Sequence, residues 1–275
     1  FPNTQLTMAA VPTMTTALKG ASVVIFGGSA GIGLATAVAC AQHGASRIHI
    51  VGRTENKLQA AVKEITQAGP SETSDACSVH STSVDAMDEA SVKQFFSQFE
   101  DDSIDHLVTT PGGSARLGDL IKNERTCDDV RRQMDLKYYA QLAPVLAAAK
   151  KIKPGGSIVM TSGVLSRRPG KGNDALSVAN AAIETTVRSL AVDQGYDGRK
   201  IRVNCLSPGM TLTSVYDEAM GVEKAKRYQE SVAAKVPLQR NAQPREMAHA
   251  IMFLLTNTFV TGITIDCDGG FLIAP

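Results

Sequence analysis

The chain has 275 residues, 43% hydrophobic and 20% charged, an ordinary globular balance that supplies apolar surface for a sizeable core and excludes disorder as the main state. Twenty-eight basic against twenty-seven acidic side chains leave a net charge of +1 with no basic block, which excludes nucleic acid as a partner, and no apolar run approaches the ~18 residues of a membrane span. The cysteines, Cys40, Cys77, Cys127, Cys205 and Cys267, are odd in number, widely spaced and never CxxC, so neither a disulfide framework nor a zinc site is indicated; free thiols in a reducing cytoplasm are expected, with no metal.

Residues 1–18 read as an N-terminal extension without the basic and apolar segments of a secretory signal, and Phe1 to Thr7, ahead of Met8, read in part as a cloning remnant. From Ala21 short β-branched runs alternate with helical stretches: ASVVIF then a helix from Gly31, RIHIV then a helix from Glu55, CSVHSTS then a helix from Asp88. The alternation continues through DHLVTT, GGSIVMTS, KIRVNCLS and GITIDCD, with helices near Asp128 to Lys150, Ala175 to Gln194 and Pro244 to Leu255. Strands separated by helices predict one α/β domain over 19–273, a doubly wound, seven-stranded parallel sheet, because each crossover must cover a face of the sheet. The least regular stretch, Met210 to Val236, has the character of a substrate lid, with Met210, Tyr216, Met220 and Tyr228 available as an apolar wall.

Gly27-Gly28-Ser29-Ala30-Gly31-Ile32-Gly33 follows the first strand and opens a helix. Glycines there permit a tight turn and close approach of backbone to a pyrophosphate, while the helix N-terminus offers free N–H groups, so Gly27, Ser29, Gly31, Ile32 and Gly33 are expected to cradle a dinucleotide. The second strand ends at Arg53, about twenty residues later, where an acidic residue would hold the 2′-hydroxyl of NAD. A guanidinium pairs instead with a 2′-phosphate, which points to NADP(H).

These segments, with RVNCLSPGMTLT and the terminal VTGITIDCDGG, resemble the short-chain dehydrogenase/reductase superfamily over nearly the whole chain. The resemblance implies a Rossmann-type enzyme that forms a homotetramer or homodimer. It further implies cofactor contacts from Asp85 after the third strand, Thr110 and Gly112 after the fourth, and Pro208, Gly209, Thr211 and Thr213 after the sixth. Phe26 stands where the family has Thr, and TTPG replaces NNAG.

The family's catalytic tetrad is a Tyr-xxx-Lys pair, a Ser thirteen positions earlier and an Asn on the preceding long helix. Alignment on this pattern places Leu176, Asn180, Gly163 and Asp135 there, so all of them are changed. The family's Tyr, its pKa lowered by Lys, supplies a proton to an alkoxide, and Leu176 cannot. An acceptor that is already cationic, such as an iminium carbon, needs no proton on its nitrogen. A dinucleotide loop kept beside a replaced tetrad resembles the fungal indole-alkaloid reductase/Diels-Alderases of the malbrancheamide and paraherquamide type. That resemblance implies NADPH reduction of an iminium or zwitterion derived from a bulky prenylated indole or cyclic dipeptide, coupled to an intramolecular [4+2] cycloaddition.

Polar groups able to assist are Asp174 and Asn173, just before Leu176, and Arg131 and Asp135, four apart on the long helix; Ser162 and Thr161 adjoin the lost serine, and Arg167 and Arg168 lie in the same loop. Asp174 also reads as a helix N-cap, and Arg131 with Asp135 as an exposed ion pair. Two other readings stay open, a non-catalytic NADP(H) sensor or scaffold and a carbonyl reductase with a relocated proton donor.

Overall fold

The computed structural model describes residues 18–69, 77–112 and 126–275, and the extension expected over 1–18 lies, apart from Leu18, outside them. Strands β1 (Ser22–Phe26), β2 (Arg47–Gly52), β3 (Ser78–Ser83), β4 (Ile104–Thr109), β5 (Ile152–Thr161), β6 (Arg202–Pro208) and β7 (Thr264–Cys267) form one sheet in the order β3-β2-β1-β4-β5-β6-β7. Every pairing is parallel. Helices α1 (Gly31–Gln42), α2 (Glu55–Ala68), α3 (Glu89–Ser97), α4 (Cys127–Met134), α5 (Ala140–Ala148) and α6 (Asp174–Tyr196) connect the strands through β6. After β6 come α7 (Ser214–Met220), α8 (Val222–Ala233) and α9 (Pro244–Thr256). This is the doubly wound domain expected from the alternation.

Period-two side-chain alternation divides the core between the two faces. Val24 and Phe26 of β1 pack with Phe95 and Phe96 of α3, Val145 of α5 and Val187 of α6, while Val23 and Ile25 pack with Ala37 and Cys40 of α1 and Met247 and Ile251 of α9. Phe26 stacks on Phe96 at 5.7 Å and meets Phe95 edge-on at 5.5 Å, so the residue standing in place of the family's Thr is part of an aromatic cluster. The strand order reverses between β1 and β4, although the strands stay parallel, and the crevice at their carboxyl ends is where an open α/β sheet binds its ligand.

One long helix was expected over Asp128 to Lys150. The structure breaks it with a π-turn at Asp135–Tyr139 between α4 and α5. A π-turn inserts a residue and rotates the following face of the helix, which a 3.6-residue periodicity does not anticipate.

Candidate active site

A cavity of about 440 Å³ opens at the carboxyl ends of β1, β4, β5 and β6, walled by the α7–α8 segment. Its floor is the glycine turn. Gly27 has φ of +81°, and a Cβ on Gly33 would stand 2.3 Å from the Gly27 carbonyl oxygen and 2.7 Å from Thr110 Oγ1, so the helix can begin this close to the strand only with glycine there. Thr110 Oγ1 donates to the carbonyl of Phe26 at 3.0 Å and lies 3.3 Å from that of Gly27, which ties the turn after β4 to the turn after β1. Gln141 on α5 holds the same region: it accepts from Thr109 Oγ1 and the Thr161 N–H and donates to the carbonyls of Pro111 and Thr161, all within 3.0 Å.

Gly27, Ser29, Gly31, Ile32, Arg53, Asp85, Thr110, Gly112, Pro208, Gly209, Thr211 and Thr213 all line the cavity, and Gly33 lies under the floor. Arg53 is exposed on the rim beside Lys57, whose ammonium is 2.7 Å from Glu218 and so links α2 to α7. A glycine floor under a helix N-terminus with a guanidinium on the rim fits a phosphorylated dinucleotide. Met210, Tyr216, Met220 and Tyr228 line the opposite wall, and burial pushes the Tyr216 hydroxyl up to about 12.

The structure separates the expected catalytic group. Asn173 lines the cavity as the residue preceding α6, its amide donating to the Lys171 carbonyl at 3.3 Å. Asp174 opens α6 and accepts from the Ala175 N–H at 2.9 Å, off the cavity; Asn173, rather than Asp174, holds the N-cap position. Arg131 is exposed and pairs with Asp128 one turn earlier instead of with Asp135, and neither Arg131 nor Asp135 lines the cavity. The π-turn is the reason for Asp135: from this segment Leu136, Lys137 and Ala140 face the cavity instead. Arg167 is bound to Asp266 and Ser207, and Arg168 to the carbonyls of Phe271 and Ala274 while stacked on the Phe271 ring at 4.8 Å.

Gly163, Leu176 and Asn180 do meet on the cavity wall, as their alignment with the family's Ser, Tyr and Lys requires. A Cβ at 163 would approach Asn180 Nδ2 to 2.9 Å, so the two replacements pack as a pair. Asn180 Oδ1 and Thr161 Oγ1 are buried without a hydrogen-bond partner among the described residues. Ser162 donates at 3.0 Å to Glu184, which also accepts from Ser166 at 2.6 Å and lies 3.6 Å from Arg167, so the hydroxyl next to the lost serine is already committed.

Lys137 escaped the sequence reading. It is buried, makes no hydrogen bond or ion pair among the described residues, and desolvation lowers its ammonium to about 8. Its only signal in the sequence is a lysine two positions after Asp135, and without the π-turn nothing shows which way it faces.

The parallel sheet, the switch-point cavity and the glycine floor define a dinucleotide-binding oxidoreductase, and residues 27–272 match the family model described as enoyl-(acyl carrier protein) reductase: the chain belongs to the short-chain dehydrogenase/reductase family. It is 30% identical to the uncharacterized oxidoreductase YxbG of Bacillus subtilis, covering 93% of this chain and 92% of that one. It is 26% identical to the short-chain dehydrogenase/reductase malC of Malbranchea aurantiaca, over 93% and 96% of the two chains. The solved structure of that MalC reductase/Diels-Alderase superposes with a TM-score of 0.82, covering 95% of this chain and all (100%) of the other. A small-chain dehydrogenase solved in complex with NADPH superposes with a TM-score of 0.73 at 27% identity, over 93% of this chain and 100% of that one. No helix among the described residues is long and apolar enough to cross a membrane.

Proposed function

We propose that the protein is an NADPH-dependent reductase of a bulky alkaloid intermediate, an iminium or zwitterion of the fungal indole-alkaloid kind, and that reduction is coupled to an intramolecular [4+2] cycloaddition. The observation that carries this reading is a dinucleotide floor kept beside a wall in which Gly163, Leu176 and Asn180 stand where the family's acid would be. The likeness to a reductase/Diels-Alderase supports it. The glycine turn and the α1 N-terminus hold the pyrophosphate, and Arg53 takes the 2′-phosphate. When bound, the dinucleotide supplies hydride.

Leu176, Met210, Met220, Tyr216 and Tyr228 exclude water and press the acceptor into one folded arrangement, which is what a pericyclic step needs more than acid or base. Asn173 hydrogen-bonds a carbonyl or N–H of the acceptor at the rim. The exposed apolar side chains Tyr139, Leu146, Val178 and Val192 serve association into a homodimer or homotetramer, and the free cysteines fit a reducing cytoplasm.

One observation favours the second reading, a carbonyl reductase: Lys137 is a relocated group that carries a proton into the cavity. Incubation with deuterium-labelled NADPH separates the two. Label at a carbon next to an amine nitrogen is expected with cyclic iminium acceptors; label at an alcohol carbon would establish the second reading, and no transfer to any acceptor would reduce the protein to a dinucleotide sensor.

A further inference from the structure

Among the described residues lining the cavity, Lys137, Asn180 Oδ1 and Thr161 Oγ1 are buried without a hydrogen-bond partner, and the first two differ in what they require of a ligand. Lys137 is 8% exposed and Asn180 2% exposed; both line the cavity, from the π-turn and from α6. Lys137 has no partner among the described residues, and neither does Asn180 Oδ1. An ammonium can only donate hydrogen bonds, and a carboxamide oxygen can only accept them. Burying either unpaired is costly, and such a pair persists where a ligand completes it.

Position narrows the ligand. Lys137 Nζ stands 3.6 Å from where a Cβ on Gly112 would be, in the turn that Thr110 ties to the glycine floor. The ligand group facing it must accept from an ammonium, and the one facing Asn180 Oδ1 must donate. A hydroxyl does both. An acceptor that carries a positive charge would be repelled by Lys137, whereas a polyanionic dinucleotide would be attracted. We propose that Lys137, with Asn180, binds a sugar hydroxyl of the nicotinamide half of the dinucleotide, so that the cation missing from position 180 is supplied from the π-turn of the neighbouring helix. This rests on the dinucleotide reading above and assigns Lys137 to the cofactor rather than to the acceptor.

The groups around Lys137 leave its titration distinct. From β6 the Cys205 thiol faces it, pushed up to about 11 by burial. From α6 Glu184 is turned onto Ser162, Ser166 and Arg167. Among the described residues, the cavity lining from the end of β5 and the segments directly after β4 and β5 is Thr110, Pro111, Gly112, Thr161, Ser162, Gly163, Val164 and Leu165, none charged. On its own π-turn Asp135 does not line the cavity, and Tyr138 is bonded to Thr186 at 2.9 Å. If the protonated form binds, NADPH affinity in the intact protein is constant below the free-protein pKa of about 8 and falls as pH rises through it.

The test is NADPH binding, read by cofactor fluorescence without substrate, in wild type, Lys137→Met, Lys137→Arg and Asn180→Leu, with adenosine 2′,5′-bisphosphate as the probe lacking the nicotinamide half. Lys137→Met is expected to weaken NADPH about tenfold or more, to lose the break near pH 8, and to leave the bisphosphate within about twofold of wild type. Asn180→Leu is expected to weaken NADPH about threefold or more. Lys137→Arg is expected to keep most of the affinity while moving the break out of range. NADPH binding by Lys137→Met equal to wild type overturns the assignment and returns Lys137 to the acceptor side, and equal loss for both ligands places it at the phosphates instead. Failure of wild type itself to bind NADPH would remove the dinucleotide reading, a different result. Should Lys137→Met not fold, as judged by circular dichroism, the arginine variant and the wild-type pH break still decide.

Discussion

At the residue scale, specificity and reactivity depend on which side chain stands at a position whose backbone is held by others. Arg53 stands on the rim only because β2 ends at Gly52, directly beside the Ser29 of the glycine turn, so its charge is presented to whatever lies on that floor. Arg53→Asp should therefore raise the NADPH dissociation constant by about tenfold or more and leave NADH binding equal or tighter, as fluorescence titration of both cofactors would reveal. Unchanged NADPH affinity would mean that the guanidinium is solvent-facing and recognises nothing. Gly163 and Asn180 illustrate a coupled change: the small residue makes room for the amide, and a Ser restored at 163 alone would meet Asn180.

At the scale of elements, the site is assembled where helices and strands are tied by buried polar side chains. Glu184 of α6 gathers Ser162, Ser166 and Arg167, and so fixes the segment after β5 against the helix that carries Leu176 and Asn180. Glu184→Ala would remove the carboxylate that Ser162 and Ser166 share, leaving Ser162 only the Leu206 carbonyl at 3.4 Å, while Ser166 keeps the Gly163 carbonyl and Arg167 keeps Asp266 and Ser207. It is expected to cost about 2–4 kcal/mol of stability, measured by urea unfolding, with Gln recovering part of the loss. Arg202 of β6 does the corresponding task at the far end, donating to the carbonyls of Leu254 and Leu255 at the C-terminus of α9, where a cation suits the helix dipole. The π-turn was the element least open to sequence reading. Helical periodicity through QMDLKYY assigns a face to every residue, and one inserted residue reassigns the faces that follow, exchanging Asp135 for Lys137.

At the scale of the whole molecule, the central sheet holds two histidines, His49 buried and His106 partly buried. His49 lies edge-on to Phe95 and bonds Thr82 at 2.7 Å, and His106 bonds Ser157 at 2.8 Å. Burial lowers both to about 4, from 6.5. The folded protein then resists a proton that the unfolded chain accepts, so their contribution to stability is complete above pH 6.5 and is lost as pH falls from there toward 4. The loss should reach about 2–3 kcal/mol for each by about pH 4.5, seen as a falling melting temperature in calorimetry. A melting temperature flat across that window would mean that water reaches both rings in the native state.

The sequence by itself determined the parallel α/β domain, the glycine floor and the replacement of the tetrad, because strand and helix periodicities, turn glycines and fixed motif spacings are local properties that survive without coordinates. It also placed the residues after each strand at the cavity, since in a parallel sheet every carboxyl end lies on the same edge. Tertiary structure decided which charged groups reach that edge: Asp174 is spent on the start of its helix, Arg131 on Asp128 and Arg167 on Asp266, while Lys137 is turned inward. Long side chains choose between solvent, a neighbour and a cavity by packing and desolvation across elements distant in sequence, and a helix face holds its register only until a residue is inserted into it.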